Sequence, residues 1–250
     1  MLKLALQGLL IALYSVSSYA LPKVDFKNSC VPLEQFSPSQ KEVLLHAYLA
    51  GEAEGFGYTL AAIAWKESCA GVYKMNFQDP SAGNFHAYIP GVIKRYPELK
   101  QNGFTQNMVG AMLVDDDDFA AKIAITELKF WYKEHKGNWK NIIKSYNKGY
   151  TWQKSSQSNT QAEFYYTDIA NKIKQLQGYF QTPQMQSIAL NLSKKSKKND
   201  QPFYALKEKP NKEDKKEIFS LPIYQRANEF AAPLIKKPTI FKEFDLIDID

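Results

Sequence analysis

From residue 38 to residue 178, apolar residues recur at intervals of three and four, the spacing of helices that bury one face. In "SPSQKEVLLHAYLAGEAEG", Ser37 or Ser39 is placed to cap a helix, and Val43, Leu44, Ala47, Tyr48 and Ala50 mark its apolar side. Gly51 interrupts the last turn, and Gly55 and Gly57 end it. A second helix is expected over 58–69, with Gly71 as its stop. The stretch "NFQDPSAGNFHAYIPGV" carries Pro80, Gly83, Pro90 and Gly91 and reads as a loop. Helices follow at 91–100 and 104–113. The acidic run Asp115–Asp118 then offers Asp118 as the cap of a helix from Phe119 to His135, with Ile123, Leu128 and Trp131 on its apolar side. A helix ending at Gly149 and a last amphipathic one over 162–178 complete the pattern. No strand run is visible before residue 180, so the expected class is all-α with short connections.

The two ends of the chain differ from this core. Residues 1–20 combine Lys3, an apolar run from Leu4 to Val16 and the small residues Ser18 and Ala20, the pattern of a signal peptide cleaved after Ala20. Residues 21–37 are an irregular lead-in, and 38–181 hold the helical domain. From 182 to 250 the composition becomes that of a Lys-rich, largely irregular linker or tail, punctuated by apolar islands such as "EIFSLPIYQRANEF". Such islands either dock on a partner, such as a cell-envelope assembly, or fold back on the domain. No later run is long and apolar enough to span a membrane, so an exported, periplasmic or secreted, protein is expected.

Of the 250 residues, 44% are hydrophobic, enough for a core, and the formal charge is +6, which suits an anionic partner without choosing one. No helix shows the dense basic, base-reading face of a nucleic-acid binder. The two cysteines, Cys30 and Cys69, either pair in an oxidising compartment or remain as buried thiols. His46, His86 and His135 are too scattered for a metal set, and neither metal nor cofactor is expected.

Within "AAIAWKESCAG", Glu67 falls in line with Leu60, Ile63 and Ala64 on the apolar stripe of its helix. An acid there is unfavourable for stability: either it is an exposed Glu at a fraying helix end, or apolar surroundings keep its carboxyl protonated to higher pH, as a general acid requires. Three further stretches stand in order behind it. They are "SAGNFH" from Ser81 to His86, "SYNKG" from Ser145 to Gly149, and a tyrosine, Tyr165 or its neighbour Tyr166, four or three residues before Ile169. Together, residues 40–178 resemble the lysozyme-like catalytic domain of the SLT-type lytic transglycosylases. The four segments are similar to that family's L-x-A-I-A-x-x-E-S, S-x-G-L-M-Q, A-Y-N-A-G and last-helix tyrosine motifs, with Asn84, Phe85 and His86 departing from the second.

The resemblance implies a lysozyme-like fold and a monomer acting on peptidoglycan glycan strands. Glu67 would serve as sole acid and base, cleaving between N-acetylmuramic acid and N-acetylglucosamine to leave a 1,6-anhydro end. It implies substrate contacts or support from Ser68, Ser81, Gly83, Phe85, His86, Tyr146 and Asn147, and a tyrosine hydroxyl holding the acid. Tyr88 and Trp152 are further candidates for stacking on sugar faces. Most glycosidases use two carboxylates. The run Asp115–Asp118 is the candidate by count, although helix capping accounts for it. A lysozyme-type muramidase and an inactive peptidoglycan-binding scaffold are the competing expectations.

Overall fold

The computed structural model describes residues 30–76 and 78–196, with side chains through residue 192. The expected signal peptide, most of the lead-in and the apolar islands of the tail lie outside the described residues. The chain divides into Met1–Cys30 and Val31–Asp250, and the architecture below is that of the second unit. It is mostly helical, as the periodicity predicts.

Helix α1 spans Pro38–Glu52 and begins with a reciprocal capping box, in which the Ser37 hydroxyl accepts from the Gln40 amide and the Gln40 side chain accepts from the Ser37 amide. It continues through Gly51, the position expected to weaken it. A side chain there would come within 2.8 Å of the Phe56 carbonyl oxygen, so glycine lets the chain fold back tightly into the next helix.

Helix α2, Gly57–Ser68, is the centre of the fold. Leu60, Ala61, Ala62, Ile63 and Ala64 are all fully buried, so this helix is enclosed on every side rather than along one stripe. Its small residues let α1 and the long helix α7, Ser156–Tyr179, pack closely against it. Ser68 and a left-handed Cys69, at φ +52°, end it.

A small antiparallel sheet follows: β1, Met75–Asn76, pairs with β2, Ser81–Ala82, which pairs with β3, Ala87–Tyr88. This corrects the expectation of no strand before residue 180. Two-residue strands are too short to show an alternating pattern. Helix α3 is only Ile89–Ile93, earlier and shorter than the expected 91–100, because Pro90 favours its first turn and Pro97 disfavours helix at Tyr96. Helix α4, Gly103–Asp115, is capped by Asn102, and α5 runs over Asp117–Glu134. The cap of α5 is Asp116, whose carboxylate accepts from the Phe119 amide at 2.9 Å, and not Asp118. Helix α6, Trp139–Lys148, is joined to α7 by the buried Lys144 amine, which donates to Asn159 at 2.6 Å and Glu163 at 2.8 Å. Those partners lie in the first turns of α7, which starts at Ser156, six residues before the expected Ala162.

The expected domain boundary at 181 falls just before another helix, α8, Pro183–Ser196, which packs on α1 through the buried Met185 and Ala189. Its few apolar residues are diluted by Gln, Ser and Lys, so the composition resembles the tail beyond it. Met185→Ala should lower the unfolding free energy by about 2–5 kcal/mol, measured by urea denaturation, because it empties a buried site. An unchanged midpoint would show that α8 is not part of the folded core.

Candidate active site

The enclosed helix α2 opens to solvent only at its last turn, where Lys66 is exposed and Glu67 follows. The Glu67 side chain is 19% exposed and reaches a cleft of about 440 Å³. Its surroundings are thus not the apolar stripe expected from helical spacing, because the stripe ends one turn earlier and polar partners meet the carboxylate. Oε1 accepts a hydrogen bond from the Tyr165 hydroxyl at 2.6 Å, and Oε2 lies 3.4 Å from His86 Nδ1. On α7, Tyr165 shares a buried face with Ala162 and Ile169, which aims its ring at the end of α2. Tyr166 turns away, packing against Trp139 at 5.3 Å, so the tyrosine that meets Glu67 is Tyr165.

Burial, followed by the Glu67 charge, pushes the Tyr165 phenol well above its ordinary value, so it remains a donor. Burial acts likewise on Tyr146, whose hydroxyl donates to the Phe85 carbonyl at 3.1 Å. For His86, burial opposes the charged form. The Glu67 carboxylate 3.4 Å away, the Tyr73 carbonyl and the charge of Asp79 outweigh it, and the pKa rises above the usual 6.5. The stabilisation from this contact is therefore full below the ordinary histidine value and is lost as pH rises through the raised one.

The structure brings Glu67, Ser81, Phe85, His86, Tyr146 and Asn147 to the wall of the cleft, with Tyr165 behind the acid and Tyr88 exposed at the rim. The Phe85 ring is buried, so its backbone carbonyl rather than its face is what orders the site. Two expected site residues stand elsewhere. Ser68 is fully buried and finishes its own helix, donating to the Ala64 carbonyl and accepting from the Gly71 amide. Gly83, at φ +84°, faces α4: a side chain there would come within 2.6 Å of the Leu113 carbonyl oxygen, so close approach to α4, not to glycan, requires glycine. Trp152 also points away, donating to the Ser145 hydroxyl at 2.8 Å beneath Lys144.

None of the Asp115–Asp118 carboxylates lines the cleft. Asp117 takes the Lys74 amine at 2.7 Å and the Asn84 amide at 2.9 Å, and Asp118 meets His46 at 2.6 Å. The cleft instead holds two acids the sequence reading passed over, Asp79 and Glu127, together with Arg95. Glu127 pairs with Arg95 and also accepts from Trp131 Nε1 at 2.7 Å. Its position, four residues after Ile123 and four before Trp131, is the same acid-in-a-stripe signal that singled out Glu67. Asp79 lies on the exposed β1–β2 turn, where its carboxylate accepts from the Ser81 hydroxyl at 2.5 Å. Nothing in its local sequence marks it. Both cysteines, Cys30 and Cys69, are disulfide-bonded.

No family model and no solved structure matches the chain. One curated relative is the uncharacterized 20.7 kDa protein in the vs-regB intergenic region of enterobacteria phage T4. The two are 32% identical over 131 residues, which cover 46% of this chain and 71% of the phage protein. That identity over more than two thirds of the relative shows that the chain belongs to the same family as this phage protein.

Proposed function

We propose that the protein is a peptidoglycan lytic transglycosylase in which Glu67 is both acid and base. The observation that carries this reading is the acid itself: a carboxyl group on the end of a rigid, enclosed helix, held by a buried tyrosine hydroxyl at the wall of an open cleft. Glu67 gives its proton to the glycosidic oxygen as the bond from the muramic acid anomeric carbon breaks. The substrate's own N-acetyl group supports the positive anomeric centre. The C6 hydroxyl of the same sugar then forms the 1,6-anhydro ring and returns its proton to Glu67, so no water is consumed. Tyr165 fixes the carboxyl, leaving Oε2 for the reacting proton. The rim tyrosine Tyr88 offers a ring face for a sugar, and Asn147 an exposed amide for an N-acetyl group. Such a substrate places the protein outside the cytoplasmic membrane, in keeping with the signal-peptide pattern at its N-terminus.

A second reading, hydrolysis by a muramidase, draws on Asp79, an exposed cleft carboxylate that could activate water. The products separate the two. Purified peptidoglycan digested by the mature protein and analysed by mass spectrometry should yield anhydro-muramic ends. Reducing ends that disappear with Asp79→Asn would establish hydrolysis instead. Products of neither kind would leave a binding role.

Glu67→Gln should retain the fold, by circular dichroism, and lose about 10²-fold or more of the cleavage rate. Residual activity near the wild-type level would remove Glu67 from the acid role. Tyr165→Phe should lower the turnover rate roughly 10–100-fold with little change in KM, since it loosens the acid without touching the glycan. A change confined to KM would mean that Tyr165 binds substrate instead.

A further inference from the structure

His86 meets Glu67 in a way that fixes where its protons are. Its Nε2 lies 2.7 Å from the Tyr73 carbonyl oxygen, which can only accept, so Nε2 carries a hydrogen in every protonation state that keeps this contact. In the neutral ring Nδ1 is then a bare lone pair, and it faces Glu67 Oε2 at 3.4 Å. Two lone pairs facing each other repel. The contact is attractive only with one proton in it, either on Nδ1 beside a carboxylate or on Oε2 beside a neutral ring. The backbone is held for this purpose: His86 has φ +45°, a conformation costly for a residue with a side chain, and its amide donates to the Gly83 carbonyl at 3.3 Å.

We propose that Glu67 and His86 form an acid pair holding one shared proton, with His86 as the store that reloads the acid at neutral pH. The use of that proton in catalysis rests on the glycan-cleaving reading above; the pair itself does not. When glycan fills the cleft, the proton on Nδ1 passes to Oε2 and on to the glycosidic oxygen. The proton released by the attacking hydroxyl returns to the pair, and the count closes. His86 is thus a positioning residue acting through Glu67.

The other titratable and charged groups around the pair do not supply this proton. Tyr165 from α7 and Tyr146 from α6 are held protonated by burial, and Tyr165 already donates to Oε1. Glu127 from α5 is tied to Arg95. Asp168, one turn beyond Tyr165, is tied to Lys66 and Lys172. Asp79 on the β1–β2 turn adds negative charge that favours the protonated ring. The ring therefore keeps its Nδ1 proton to higher pH than an ordinary histidine does.

The test has two readouts. Nitrogen NMR of the His86 ring across pH, in the wild type and in Glu67→Gln, should show the Nε2–H tautomer in the neutral form and a titration that moves to lower pH in the variant. An Nδ1–H tautomer, or a titration indifferent to Glu67→Gln, overturns the pair, whether or not the protein cleaves glycan. The second readout is the pH profile of peptidoglycan cleavage by wild type and His86→Asn, a replacement that tolerates positive φ. The alkaline limb should move to lower pH, so that the wild-type advantage grows roughly tenfold between about pH 5 and pH 7.5. A loss that is uniform across pH overturns the reloading role. If the wild type cleaves nothing, the glycan reading and the catalytic use of the pair fall together, and the NMR result alone decides whether the shared proton exists.

Discussion

The hydrogen bond from the Tyr165 hydroxyl to Glu67 joins residues 98 positions apart and ties the end of α2 to the middle of α7. Its geometry can be held because neither helix is free to move. α2 is enclosed along its length, and α7 is packed against it through Ile169, Ala170 and Ile173, all fully buried. Close packing makes such a framework stiff, and a stiff framework converts core volume into a fixed carboxyl position. The acid is therefore placed by the core and only trimmed by the cleft. Had it stood on a loop, holding it would have required ordering the loop as well.

The distribution of charge is less simple than the net value suggests. The chain is +6 overall, yet the cleft wall carries Glu67, Asp79 and Glu127 against Arg95 and His86. Several lysines are engaged elsewhere: Lys74 with Asp117, Lys66 and Lys172 with Asp168, Lys140 and Lys144 with Glu163. An argument from total charge to an anionic substrate thus has no local support in the cleft. The charge of the cleft wall is set by those three carboxylates, with one guanidinium already paired with Glu127, beside the exposed Tyr88 ring and the Asn147 amide. Net positive charge can still draw the whole protein toward an anionic surface, which is a long-range effect and independent of the charges on the cleft wall.

The helices were legible in the sequence because each must bury a face, and burial imposes a period. Helix caps were less so: four consecutive aspartates can each cap, and only the backbone decides that Asp116 does and Asp118 does not. The small sheet was illegible because its strands are two residues long, and α8 because its burial rests on few residues such as Met185 and Ala189. In the site, Glu67 stands out by spacing and the Tyr165/Tyr166 pair only by the family resemblance, and the choice between the tyrosines is a matter of which side of α7 meets α2. Ser68 and Gly83 both serve the backbone next to the site, where a helix must end and a loop must pass close to α4. Arg95 and Asp79 come to the cleft from the segment after α3 and from a turn, and no local pattern announces either.

Asn84, Phe85 and His86 act together in one segment of the loop. Asn84 is fully buried and donates to Asp117, which also binds Lys74, so the loop is anchored to the start of α5. Phe85 buries its ring and gives its carbonyl to Tyr146, which anchors the loop to α6. The backbone between two such anchors has little freedom, and the next residue is held at positive φ with its ring against Glu67. The acidic run around the start of α5, which by count suggested a second catalytic carboxylate, thus contributes to the site indirectly. One of its members fixes the loop that brings His86 to the acid. Changing His86 alone alters the chemistry beside Glu67, whereas changing Asn84 or Asp117 would release the loop that presents it.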